Sequence, residues 1–131
     1  MKKLFIISLI AVLGMALNAQ QGYQQLANDS TKGAQTKYAT STVNCAYNGF
    51  VTFDFTVVNR QADTMLVILQ GSNDAGTTYL DIDTVSHKVT TTATNYQLVD
   101  NPCTFLKYRL KKIGSVNDTS YFSKQLFIYK R

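Results

Sequence analysis

Met65 to Val85 reads MLVILQGSNDAGTTYLDIDTV. An unbroken apolar run, Met65 to Leu69, enters Gln70-Gly71-Ser72-Asn73-Asp74-Ala75-Gly76, and a second run leaves it at Tyr79-Leu80-Asp81-Ile82. Two apolar runs separated by Gly, Asn, Asp and Ser predict a β-hairpin. Asn and Asp tolerate left-handed backbone and bond locally, and Gly takes positive φ at no steric cost. The first strand is apolar on both faces and belongs in the middle of a sheet. The second alternates, which places Leu80 and Ile82 inward, Asp81 and Asp83 outward, and the strand nearer water.

The same period of two recurs on both sides. Val51, Phe53, Phe55 and Val57 share one face of a strand over Phe50 to Asn59, with Thr52, Asp54 and Thr56 on the other. Before it, Thr36 to Cys45 reads as a strand joined to it by a hairpin at Asn48-Gly49. Arg60 to Asp63 turns the chain into the central hairpin. Ser86 to Val99 is one exposed strand, or two short ones meeting at a bend. Asp100-Asn101-Pro102 makes a turn, because Pro cannot continue a central ladder. From Phe105 to Ile113, Leu106, Tyr108 and Leu110 face one way and Lys107, Arg109 and Lys111 the other. Over Ser120 to Lys130, Phe122, Lys124, Leu126 and Ile128 share one face; Tyr121, Ser123, Gln125, Phe127 and Tyr129 share the opposite one. The expectation is an all-β fold: an antiparallel β-sandwich of about seven strands, immunoglobulin-like or jelly-roll in order.

The chain has 131 residues, room for one domain. Lys2 and Lys3 precede an apolar stretch, Leu4 to Leu17, that ends at Asn18-Ala19-Gln20, the pattern of a secretory signal peptide. We expect residues 1–19 to act as that segment, residues 20–35 to form a polar extended arm, and residues 36–131 to form the sandwich. The arm is rich in Gln, Asn, Ser and Thr; it is either disordered or laid on a neighbouring subunit. Losing two lysines lowers the formal charge from +5 to +3, too small an excess to imply nucleic-acid binding.

Of the two cysteines, Cys45 and Cys103, neither has a CxxC neighbour, so zinc and redox chemistry are not indicated. In an exported chain they form a disulfide or are two small buried residues. His87, the one histidine, could be assembled on paper with Ser72 or Ser86 and Asp83, but no G-x-S-x-G elbow supports a triad, and a solvated histidine is the plainer reading. Asp81 and Asp83 with Asn73 and Asp74 match no calcium loop. We expect no enzyme activity, no metal and no cofactor. Two surfaces remain: a basic contact face of Lys107, Arg109 and Lys111, with Lys112 and Lys124 as candidate neighbours, and tyrosines 79, 96, 121 and 129 as a sugar-stacking platform.

Thr36-Lys37-Tyr38, Val67 to Leu80, Asp100-Asn101-Pro102-Cys103 before Tyr108-Arg109, and the ending Phe127 to Arg131 resemble small β-sandwich virion proteins of tailed phages that infect Bacteroidetes. The QGSND hairpin with Gly76 also resembles those of carbohydrate-binding sandwiches in secreted bacterial proteins. The first resemblance implies a non-enzymatic decoration or accessory protein. Its setting is an oligomeric virion surface, with other virion or surface proteins, and surface glycans, as partners. The second implies a secreted adhesion or carbohydrate-binding module.

Overall fold

Phe53 and Phe55 lie at the centre of the molecule, and their strand shows why the fold is a sandwich. Val51, Phe53, Phe55 and Val57 are all buried, while Thr52 and Asp54 between them reach the surface. One face must therefore be covered by a second layer. The computed structural model describes residues 21–40, 49–59, 64–88, 92–114 and 119–130. Among them are nine strands: β1 (Gln21–Gln25), β2 (Asp29–Lys32), β3 (Thr36–Thr40), β4 (Val51–Asn59), β5 (Thr64–Ser72), β6 (Leu80–Lys88), β7 (Thr94–Asp100), β8 (Lys107–Ile113) and β9 (Thr119–Lys130). They form a five-stranded sheet, β1-β9-β4-β7 with β2 also on β9, and a four-stranded sheet, β3-β8-β5-β6. Every pairing is antiparallel.

The core is what the two inner faces supply. β4 faces Met65, Val67 and Leu69 of β5 and Tyr108 and Leu110 of β8, with Leu98, Phe122 and Phe127 completing the cluster. The Phe53 ring lies 4.9 Å from Phe127 and 5.3 Å from Phe55, centroid to centroid, within the range of favourable aromatic pairing.

The predicted hairpin is present. β5 lies between β8 and β6, and β6 forms the sheet edge. Its turn is knotted by side chains. Ser72 Oγ donates to Asp74 Oδ1 and accepts from the Gly76 amide, and Asp74 Oδ1 accepts from the amides of Thr77 and Thr78. The Thr78 amide, then the Ser72 hydroxyl, hold the Asp74 carboxyl well below the usual carboxylate range. Gly76 sits at φ 97°, a conformation an L side chain resists. Gly71 is required for space: a Cβ there would meet the Phe105 ring at 2.2 Å.

Two irregularities revise the predicted faces. Between Leu69 and Gln70 the β5–β6 register shifts, so Leu69 opposes Asp83 and Gln70 opposes Asp81. This places Asp83 on the inner side, where Oδ2 accepts the Val99 amide of β7. Leu80, opposite Gly71 at the first position of the edge strand, is 59% exposed rather than buried inward. In the β4–β9 pair, Asp54 opposes Leu126 and Thr56 opposes Ser123. Two residues of β9 thus face one of β4, a β-bulge, and Lys124 adopts φ 50°. The bulge switches faces: Phe122 points inward before it, Gln125 and Phe127 after it. Strict alternation along β9 predicts Phe122 and Phe127 on opposite faces.

Three further expectations change. Residues 21–32 are not a separate arm; β1 and β2 extend the five-stranded sheet along β9. β3 and β4 belong to different sheets, so no hairpin joins them; a turn dipeptide bends the chain but does not choose the strand's partner. β6 and β7 are likewise in different sheets, which selects two short strands over one long one for Ser86 to Val99. Leu106 is 58% exposed because β8 starts one residue later. The signal-like segment, residues 1–19, lies outside the described residues.

Candidate functional site

The bulge builds a groove on the outer face of the five-stranded sheet. Residues opposite each other in a ladder share a face, so this face can be read off the register. One row runs Tyr23, Ile128, Thr52, Val99 across β1, β9, β4 and β7. The next runs Gln25, Leu126, Asp54, Gln97. Below it come Ser123, Thr56 and Asn95, and then Ser30, Tyr121 and Val58. Asp54, Thr56, Asn95, Gln97 and Lys124 line a cleft of about 470 Å³ over β4 and the edge strand β7. Lys124 reaches it because the extra residue in β9 re-aims its side chain; bulges are common where a strand must present one group out of period.

The polar groups are already oriented. Gln97 Nε2 donates to Asp54 Oδ1 at 2.8 Å, and Thr56 Oγ1 donates to Asn95 Oδ1 at 2.6 Å. These bonds hold two planar groups and leave the second Asp54 oxygen, the Asn95 amide N–H groups, the Gln97 carbonyl and the Lys124 ammonium to meet a ligand. Such a set supplies donors and acceptors at adjacent points, as vicinal hydroxyls require. Tyr23 and Tyr121, 63% and 41% exposed, stand on the same face above and below.

The predicted basic residues Lys107, Arg109 and Lys111 do share one face, on the other sheet. Lys107 Nζ is held by the Ala75 carbonyl at 2.8 Å, and Arg109 Nε donates to Gln70 Oε1 at 2.7 Å. Lys112 and Lys124 do not join them. Lys124 is on the five-stranded sheet. Lys112 is 1% exposed and turned inward, paired at 2.9 Å with both oxygens of Asp29 and hydrogen-bonded to Gln125. Burial pushes its ammonium pKa down, and Asp29 partly restores it.

The tyrosine platform is not formed. Tyr79 covers Arg109, Tyr96 turns inward onto Phe55 and His87, and Tyr129 packs against the core; Tyr121 alone of the four is exposed. His87 is buried rather than solvated: Nδ1 bonds the Tyr96 hydroxyl at 2.8 Å, Nε2 has no partner among the described residues, and burial lowers its pKa. Its partner is therefore a phenol and not Asp83. Asp81 accepts from Gln70, and Asn73 binds the Thr104 carbonyl and the Leu106 amide, so the four oxygen-bearing residues considered for calcium are turned to separate tasks. Cys103 is disulfide-bonded; Cys45 lies outside the described residues.

Sequence reasoning missed Tyr23, Asn95, Gln97 and the special position of Lys124. Tyr23 lies in a stretch whose polar composition predicts an arm. Alternation puts Asp54 outward on β4, but its neighbours depend on which strand pairs with it.

The fold places the chain among antiparallel β-sandwiches. No protein-family model and no curated protein matches the chain. Solved structures do match in fold. A family 16 carbohydrate-binding module is similar over 74% of this chain and 73% of its own, at 17% identity and TM-score 0.55. A CBM4 structure is similar over 82% and 75%, at 8% identity and TM-score 0.53. The enzymatically active domain structure of bacteriophage CBA120 tailspike protein 4 is similar over 85% of this chain but 19% of its own, at 12% identity and TM-score 0.51.

Proposed function

We propose that the protein is a non-enzymatic binding module that takes a neutral saccharide in the groove on its five-stranded sheet. One observation carries this reading: a preformed row of carboxylate, amide and ammonium groups, opened by a bulge, with two exposed tyrosines on the same face. Hydroxyls of a sugar satisfy the row, and the tyrosine rings cover pyranose faces, with orientation cost already met by the Asp54–Gln97 and Thr56–Asn95 bonds. The fold shared with carbohydrate-binding modules supports the reading.

A glycan array probed with multimerised protein tests it, followed by calorimetry on the best ligand. Gln97→Ala and Tyr121→Ala are each expected to weaken binding at least tenfold. An array without hits, or hits indifferent to both substitutions, overturns it.

The virion placement is a second form of the same reading, favoured by the fold shared with the tailspike domain. There the module sits outward on a particle and meets host-surface glycans. Mass spectrometry of purified particles decides it: consistent absence of the chain removes the virion and leaves the secreted module.

A further inference from the structure

On the outer face of the four-stranded sheet, Tyr38 of β3 and Tyr79 beside β6 both stack on the Arg109 guanidinium, with ring centroids 4.4 Å and 3.7 Å from Cζ. Arg109 Nε donates to Gln70 Oε1 at 2.7 Å, and Gln70 in turn donates to Asp81. The guanidinium is thereby fixed on its ring-covered faces and at one of its five N–H groups. Its four terminal N–H groups meet no carboxylate or carbonyl among the described residues. Asp81, which Gln70 joins across the ladder, is bound to Gln70 and not to the guanidinium. Lys107 and Lys111 flank Arg109 on the same face of β8. Tyr38 is 53% exposed, leaving ring surface open beside the fork.

We propose that this face is a second binding site, separate from the groove, for an acidic saccharide whose carboxylate docks on the Arg109 fork while its ring lies against Tyr38. A planar fork matches a carboxylate through two parallel hydrogen bonds, and stacking on aromatic rings suits guanidinium better than ammonium. The tyrosines and Gln70 hold the rotamer before the ligand arrives, which removes an ordering cost from binding. The site stands on the opposite sheet and does not depend on the groove taking any sugar.

Calorimetry of the full chain with an oligogalacturonate, and with the same oligomer methyl-esterified, tests the proposal. The acidic oligomer is expected to bind and to weaken as salt rises; esterification, Arg109→Gln and Arg109→Lys are each expected to cost at least tenfold. Tyr38→Ala is expected to weaken the oligomer severalfold, and Gln97→Ala in the groove to leave it unchanged. Retention of the amide NMR fingerprint certifies each variant as folded; should Arg109→Gln not fold, Arg109→Lys and Tyr38→Ala carry the test. Equal binding by Arg109→Lys, or by the ester, overturns the fork. Displacement of the oligomer by equimolar inorganic sulfate overturns the saccharide and leaves a plain anion site.

Discussion

Lys112 reaches from β8 of one sheet to Asp29 on β2 of the other, with its Nζ 4.7 Å from the Phe122 ring centroid. Gln125 closes the network by donating to the Ala27 carbonyl at 2.6 Å. An ammonium with 1% exposure survives only while these partners are present. Asp29→Asn is expected to destabilise the fold by about 3 kcal/mol, the low end for breaking a buried pair. The carboxylate is itself a third exposed, which keeps the loss there. Urea unfolding measures it, and a loss below 1 kcal/mol would mean that Lys112 finds water when Asp29 is gone. His87 makes a second prediction. Burial lowers its pKa from 6.5, so the unfolded chain takes up a proton below pH 6.5 that the folded chain refuses. Its stability contribution is complete above 6.5 and shrinks as pH falls from there to the folded value. Thermal melts across pH 7 to 4.5 should show this slope in the parent and a shallower one in His87→Gln; parallel slopes would show that other groups cause it.

At the scale of the strand, the bulge in β9 sets stability against binding. Lys124 holds φ 50°, a region costing a non-glycine residue about 1–2 kcal/mol. Lys124→Gly relieves that cost but adds unfolded-chain entropy, so its net effect on stability is expected to lie within about 1 kcal/mol of zero. It also removes the groove's ammonium. Chemical unfolding paired with calorimetry should find stability held and saccharide binding weakened. A large destabilisation would mean that the lysine stem supports the bulge itself. The strands that sequence made legible are those with long runs of one pattern: β4, with its four alternating apolar residues, and β5, apolar on both faces. Both faces of β9 were misassigned in part because a bulge inserts one residue, and periodic counting has no way to register the insertion. Charge alone makes Lys112 a candidate neighbour of the basic face, although its place two residues beyond Leu110 puts it on the inward face of β8. Its partner Asp29 is 83 residues away in sequence, and no local pattern links them. Arg109, by contrast, fell on the predicted face, while its stacking on Tyr38 depended on β3 pairing with β8.

For the whole molecule, the decisive correction is that residues 21–32 are sheet and not appendage. β1 and β2 together cover most of one side of β9, and Asp29 comes with them. Deleting residues 21–32 is expected to leave a chain that aggregates or unfolds with a much lower denaturant midpoint, because it bares an apolar edge strand and strands the Lys112 charge. Size-exclusion chromatography and urea titration check this; a monomer of parental stability would restore the arm reading. Composition misled here, since polar Gln, Ser and Thr suit an outer strand whose inner contacts are few. The overall class was nonetheless legible, because short strands separated by Gly, Asn, Asp and Pro admit few other layered solutions.

The pairing of Gln21 with Lys130 has a mechanical consequence. The two strands run antiparallel from that rung, so a pull between the chain just before 21 and just after 130 is borne by one ladder rung at a time. β1 would peel from β9 like a zipper, not shear along its length.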